Sequence, residues 1–232
     1  MDSATHLLAL HVRALYRLDE NGSLIETNEA TPNPASRVFV GRTAEGSRCY
    51  FRRDVPEELG RRIDRLTRDL PLYPDRRGDA EVYGAIEDAI AEAGPIASRW
   101  HGLAYAFTTP CSPMSSEATE ITDGRDVLVG PFAQFQTDLK AIWPFFGVLR
   151  DGRVVSACYS ARLTDHAAEA GVDTDPAHRG QGLAATVINA WRKAIEDSGR
   201  TALYSTSYDN LSSQAVARRL GLSQYAETFS LT

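Results

Sequence analysis

Two glycines beside an arginine, placed where a strand gives way to a helix, are the most chemically suggestive residues of this chain. They lie in the run Thr174-Asp-Pro-Ala-His-Arg-Gly-Gln-Gly-Leu-Ala-Ala-Thr-Val. Glycine lets a backbone approach a ligand closely, and the first N–H groups of a helix are donors without helical partners that attract anions. Arg179 adds a guanidinium fork suited to phosphate oxygens. The run therefore predicts a phosphate or pyrophosphate seat over residues 179–184. The plainer reading is a tight turn that needs glycine for its own geometry.

Phosphate-binding patterns compete for this run. Gly180-x-Gly182-x-x-Ala185 fits the dinucleotide fingerprint in form, which would imply an NAD(P)-binding enzyme. That fingerprint wants its first glycine directly after the strand, near the start of a large parallel sheet. Here Pro176-Ala-His-Arg179 intervenes, and too little chain follows to complete such a sheet. The P-loop pattern is absent, because no Gly-Lys-Ser/Thr occurs.

Arg179-Gly-Gln-Gly182-Leu-Ala184 instead resembles the acyl-CoA-binding loop of the GNAT acyltransferase superfamily, R/Q-x-x-G-x-G/A, with Pro176 three residues before the arginine. The blocks that follow keep the family's order. A helix leads to the strand Ala202-Leu-Tyr-Ser-Thr-Ser, then Asn210-Leu-Ser-Ser213, then a helix ending Arg219-Leu-Gly221-Leu222. The likeness covers about residues 120–232. Asn210-x-x-Ser213, with Val155-Ser-Ala-Cys-Tyr-Ser160 on an earlier strand, looks most like the glycine N-acyltransferase and zwittermicin-resistance-type branches.

The resemblance implies an enzyme that moves an acyl group, most simply acetyl, from acyl-CoA to the amine of a small-molecule acceptor. It implies a cofactor-binding set of Val172, Asp173, Thr174, Arg179, Gly180, Gln181, Gly182, Leu183, Ala184, Asn210 and Ser213. The strand edge at 172–174 would splay from 203–205 to hold the pantetheine, and the amides of Gly180, Gly182 and Ala184 would take the pyrophosphate. No metal is implied. An amine must be neutral to attack a thioester, yet its ammonium pKa is about 10, so a group must accept a proton and another must serve the leaving thiolate. Glu169, on the strand entering the loop, is the candidate base, with Asp173 and His166 as rivals. The alternative for Glu169 is an ordinary strand residue or ion pair. Many family members place a tyrosine seven residues after the asparagine, where this chain has Ala217. Tyr204, Tyr208 and Ser213 are the nearby substitutes for that donor. The missing tyrosine also admits a second class, a non-catalytic acyl-CoA-binding or sensor module.

The elements that must position these residues read as follows. Periodicity predicts helices over Thr5–Tyr16, from Pro56 to about Leu70, and over Ala80–Ala93, with hairpins turning at Asn21-Gly22 and at Ala44-Glu45-Gly46. Trp100 to Thr108 reads as a strand, with Trp100, Tyr105 and Phe107 as core residues. The Ser/Thr/Pro-rich stretch Thr109–Gly124 reads as a linker, and 130–139 as holding a short helix. Beyond it the order β-β-β-α-β-α-β predicts a mixed α/β layer. The expected fold is thus an α/β (α+β) chain: a GNAT-like mixed sheet flanked by helices at 120–232, and a smaller α+β domain of unknown role at 1–110.

Composition bounds the partners. The 232 residues carry a net charge of −6, with a sequence pI near 5.4 and no basic tail. A nucleic-acid partner bound by phosphate neutralisation is therefore not expected. No apolar run approaches the roughly 18 residues of a membrane span, and the opening Met1–Asn21 lacks the long apolar core of a signal peptide. Cys49, Cys111 and Cys158, three and widely spaced, fit a reducing cytoplasm and give no disulfide framework or clustered metal site. Cys158 and Cys111 read as inert thiols rather than acyl carriers. The sequence leaves room for a homo-oligomer.

Overall fold

The computed structural model describes residues 3–29, 31–108, 117–137 and 139–232. The chain divides into two compact units. Unit one takes residues 1–106 together with 205–211 and 223–232; unit two takes 107–204 and 212–222.

Unit one begins with helix α1 (Ala4–Leu15), whose residues at helical spacing, Leu7, Leu8, His11 and Val12, are all buried. The Ser3 side chain caps it by accepting from the His6 N–H, and Glu45 takes the N–H groups of Ala4 and Thr5. Strands β1 (Tyr16–Leu18) and β2 (Leu24–Thr27) form the expected hairpin, with Gly22 at positive φ in its turn. Strands β3 (Val38–Thr43) and β4 (Gly46–Phe51) form the second. Helices α2 (Glu57–Arg68) and α3 (Asp79–Glu92) follow, then strand β5 (Arg99–Ala106). The last strand of the chain, β11 (Ser223–Leu231), runs antiparallel between β3 and β5. One face of this antiparallel sheet buries Val38, Val40, Phe229 and Leu231 against Ile63 of α2 and Ile86 and Ile90 of α3. The other face receives α1, where Gly41 leaves room for Leu8: a Cβ at Gly41 would lie 2.4 Å from a Leu8 methyl.

Unit two is a mixed sheet with a long helix. Strand β6 (Ala118–Glu120) pairs with β7 (Phe146–Arg150), β7 with β8 (Arg153–Leu163), and β8 with β9 (Ala167–Thr174), all antiparallel. β10 (Thr201–Ser207) starts beside β9 and runs parallel to it. A short 3-10 helix covers Gly130–Phe135, and helices α4 (Leu183–Asp197) and α5 (Leu211–Arg219) complete the set. Leu128, Phe132, Phe145, Val154 and Ala157 form one core. α4 buries Trp191, whose Nε1 donates to Ser160 Oγ on β8 at 3.1 Å.

Two sequence expectations change. Ala118–Glu120 is a strand rather than linker, because its backbone pairs with β7 at Ala118↔Val148 and Glu120↔Phe146; the earlier part of that stretch, 109–116, and with it Cys111, lies outside the described residues. Trp100 is 37% exposed rather than core, its indole N–H donating to Thr228 Oγ1 at 3.0 Å. Tyr105 is buried as expected, and Phe107 lies beneath the Arg192 guanidinium at 4.8 Å.

Candidate active site

Strand β9 delivers the chain to the glycine loop. Its ladder with β10 is short: Ala167, Ala168 and Glu169 pair with Thr201, Ala202 and Leu203, and there the pairing stops. From Ala170 to Thr174 β9 has, among the described residues, only β8 as a strand partner. Val172, Asp173 and Thr174 therefore lie on a stretch whose other edge carries no ladder to β10.

After Thr174 the Asp175 side chain accepts from the Ala177 N–H at 2.9 Å and winds Pro176–His178 into one turn of 3-10 helix. Arg179 leaves this turn extended, its Nε donating weakly to the Thr174 carbonyl at 3.4 Å. Gly180 and Gly182 then take φ of +76° and +81°, where side chains other than glycine's are strained. Gly182 is the residue that caps α4. Among the described residues none of the backbone N–H groups of Gly180, Gln181, Gly182, Leu183 and Ala184 has an acceptor. Five successive donors at a helix start form a concentrated anion-attracting surface.

One further cation there leaves no mark in residue type or spacing. Arg219, at the end of α5, reaches Gly182 so closely that a Cβ would lie 2.7–3.0 Å from its guanidinium. Two exposed arginines, Arg179 and Arg219, thus belong to the loop. The Arg218-Arg219 pair reads from sequence as ordinary basic residues in a helix's last turn, and only the packing of α5 shows where the second one points.

The catalytic candidates fall into separate groups. Glu169 is buried at 3% exposure, and its Oε2 meets Arg162 Nη1 of β8 at 3.1 Å, beside the irregularity between Ser160 and Arg162. Sequence reasoning did not identify Arg162. Tyr204 and Ser213 are brought together: their hydroxyls lie 2.6 Å apart, joining β10 to α5. Ala217, in place of the family's tyrosine, is fully buried. Asn210 stands exposed just before α5, its N–H donating to the Ser207 carbonyl. Asp173 accepts from Tyr159 Oη at 3.0 Å, and Gly171 opposite Tyr159 has no Cβ because that ring occupies its place. Tyr159 in turn stacks on Phe145. His166 is exposed at the turn before β9, where its carbonyl accepts from the Thr201 N–H. Tyr208 belongs to unit one, where it donates to Glu227.

Burial pushes the Cys158 thiol well above its usual range, and it pushes Cys49 up to about 12. Neither is a ready thiolate nucleophile. Among the described residues no cluster of His, Cys, Asp and Glu could hold a metal ion, and no helix is long and apolar enough to cross a membrane. The dinucleotide reading also loses its support in the sheet: among the described residues β9 has one parallel neighbour, β10, and the other pairings in unit two are antiparallel.

Residues 144–229 match the family model described as GNAT acetyltransferase. An acetyltransferase of the GNAT family from Colwellia psychrerythraea is similar over 100% of this chain and 98% of its own, at 15% identity and a TM-score of 0.50. That likeness supports the mixed α/β fold with its helix-flanked sheet. A GNAT-family protein from Novosphingobium aromaticivorans shares 22% identity over 59% of this chain, with a TM-score of 0.46, and the match spans 66% of that protein's length. A GCN5-related N-acetyltransferase from Kribbella flavida shares 18% identity over 100% of this chain and 95% of its own, with a TM-score of 0.48. No curated protein matches the chain.

Proposed function

We propose, from the match of residues 144–229 to the GNAT acetyltransferase family model, that this chain moves an acetyl group from acetyl-CoA to the nitrogen of a small amine. The observation that carries this reading is the row of acceptorless amides from Gly180 to Ala184, with Arg179 and Arg219 beside it. These donors fit a pyrophosphate: neutral N–H groups line one surface, two guanidinium groups supply charge, and two glycines keep side chains out. The stretch of β9 without a ladder to β10, Ala170–Thr174, would hold the pantetheine. Acetyl-CoA supplies an acyl carbon already activated as a thioester.

The chain's own task is positioning and proton transfer. As the C–N bond forms and the C–S bond breaks, the amine nitrogen must give up one proton and the departing sulfur must gain one. In this reading Glu169 accepts the first, and the Tyr204–Ser213 hydroxyl pair gives the second. The pair's short contact lets either hydroxyl donate outward while the other resupplies it.

Calorimetry on the whole chain should show acetyl-CoA binding, and a thiol assay should show CoA release with some members of a panel of primary amines. Glu169→Gln should cut the rate of thiol release by roughly a hundredfold while acetyl-CoA affinity stays within about twofold, since the loop amides are untouched. Absence of acetyl-CoA binding by the wild type would overturn the reading. The buried Ala217 favours a second one, a sensor that binds acetyl-CoA without turnover; binding with no thiol release from any amine would select it. The finer likeness to glycine N-acyltransferases rests on Asn210-x-x-Ser213 and on Val155–Ser160, and acetylation of glycine in the same panel would support it. An acidic chain with few cysteines suits a cytoplasmic enzyme, and the acceptor, not a nucleic acid or a membrane, is its proposed partner.

A further inference from the structure

Unit one contains a buried charge cluster to which the acyl-transfer reading gives no role. Glu227, fully buried on β11, accepts from Arg42 through both Nε (2.7 Å) and Nη2. It also meets His101 Nε2 at 2.8 Å, Tyr208 Oη at 2.8 Å and Tyr83 Oη at 3.3 Å. Asp79 takes Arg42 and the Nε of Arg76. Both carboxylates are saturated.

The donors around them are not. Arg76 lies with its guanidinium 4.5 Å from the centre of the Tyr208 ring, 47% exposed, and its terminal nitrogens carry no hydrogen bond among the described residues. The Tyr73 hydroxyl has none either among the described residues, and its ring lies beside the Arg42 guanidinium, 5.9 Å from the ring centre. Among the described residues of unit one, two buried side-chain atoms also lack partners, Thr206 Oγ1 and Gln224 Nε2. Thr206 is 3% exposed near the end of β10, two residues before Tyr208. Gln224 pairs in register with Tyr105, which shares its face of β5 with His101. An unpaired buried hydroxyl or amide costs about 1–3 kcal/mol, so two in unit one point to a group that completes them.

We propose that this face of unit one binds a small carboxylate, gripped by the Arg76 guanidinium and the Tyr73 hydroxyl, with Thr206 and Gln224 completing their hydrogen bonds when it is held. A planar, singly charged group matches a guanidinium fork plus neutral donors. A phosphate dianion does not, because Glu227 and Asp79 stand immediately behind the arginine. The inference does not depend on acyl transfer.

The carboxylate could belong to the amine acceptor or to a separate effector, and the probes separate the two. The whole chain is titrated calorimetrically with acetate, benzoate and glycine, and with acetamide, benzamide and glycinamide as matches lacking the carboxylate. At least one carboxylate binds and its amide does not. Arg76→Gln weakens that binding by roughly tenfold, the size of one charge-assisted pair. Thr206→Val also weakens it, yet melts higher than wild type without ligand, because an unsatisfied hydroxyl has become a methyl. Glycine accepted in thiol release while glycinamide is not assigns the carboxylate to the acceptor. Benzoate bound without altering which amines react assigns it to an effector. The proposal is overturned if no carboxylate binds, if the amides bind equally, if both variants bind as wild type does, or if Thr206→Val melts lower, as loss of a mere water site would require.

Discussion

Gly182→Glu should abolish acetyl-CoA binding while leaving the chain folded. Three effects add in one direction. Position 182 has φ +81°, so any side chain costs about 1 kcal/mol of backbone strain relative to glycine. The new Cβ would lie 2.7–3.0 Å from the Arg219 guanidinium, which must move off the loop. The new carboxylate would then sit among the five acceptorless amides and take the place of a phosphate. Arg219 is exposed, so the displacement itself costs the fold little. The expected loss is at least roughly a hundredfold in affinity, about 3 kcal/mol. Gly182→Ala separates the effects: it keeps the strain and the displacement but adds no charge, and should lose about tenfold. Arg219→Gln should lose a similar amount through the missing charge alone. Calorimetry with acetyl-CoA, beside melting curves for each variant, checks the series. A folded Gly182→Glu protein that binds acetyl-CoA within threefold of wild type would sink the loop as its site.

What made this loop readable was its locality. Glycines needed for positive φ, an arginine and a helix start fall within six consecutive residues, so type and spacing alone carry the chemistry. The elements were legible for the same reason. The hairpin at Asn21-Gly22, the helix opening after Pro56 and the strand–loop–helix at 167–197 each depend on residues close in sequence. Contacts between distant segments left no such mark. Nothing in Ser223–Leu231 announces that it runs between β3 and β5, since a buried strand reads alike beside any neighbour. β6 was hidden because three residues are too few for alternation to show. Arg219 and Arg162 looked like ordinary surface charges until the packing of α5 and the β8–β9 register placed one on Gly182 and the other on Glu169.

The most distant partnership is the most consequential for stability, and Glu227→Ala should be the most damaging single substitution in unit one. Arg42 and Glu227 face each other across the β3–β11 register and are both fully buried. Removing the carboxylate strands a buried guanidinium, a loss of about 3–5 kcal/mol. Glu227→Gln keeps the shape but sets an amide donor against the donors of His101 or Tyr208, so it should also destabilise. The pH dependence has a definite sign. Burial alone would push the Glu227 carboxyl up, but hydrogen bonds from His101, Arg42 and Tyr208 outweigh it and hold it at about 2. A carboxyl depressed in the folded state contributes stability that is complete above its unfolded value, near 4.3, and is lost as pH falls toward 2. The contribution is about 3 kcal/mol by that linkage. Asp75, half-buried, and Asp123, exposed, are also held at about 2 by Arg77 and Arg125 and titrate in the same window, so the quantity to measure is the difference between proteins. Denaturant unfolding at pH 7, 5 and 3 should show wild type losing more stability than the double variant Arg42→Met with Glu227→Leu. That variant replaces the pair by apolar volume and should recover most of what Glu227→Ala loses at pH 7. Parallel pH profiles for wild type and the double variant would mean that this carboxylate, for all its partners, does not govern the acid stability of the sheet.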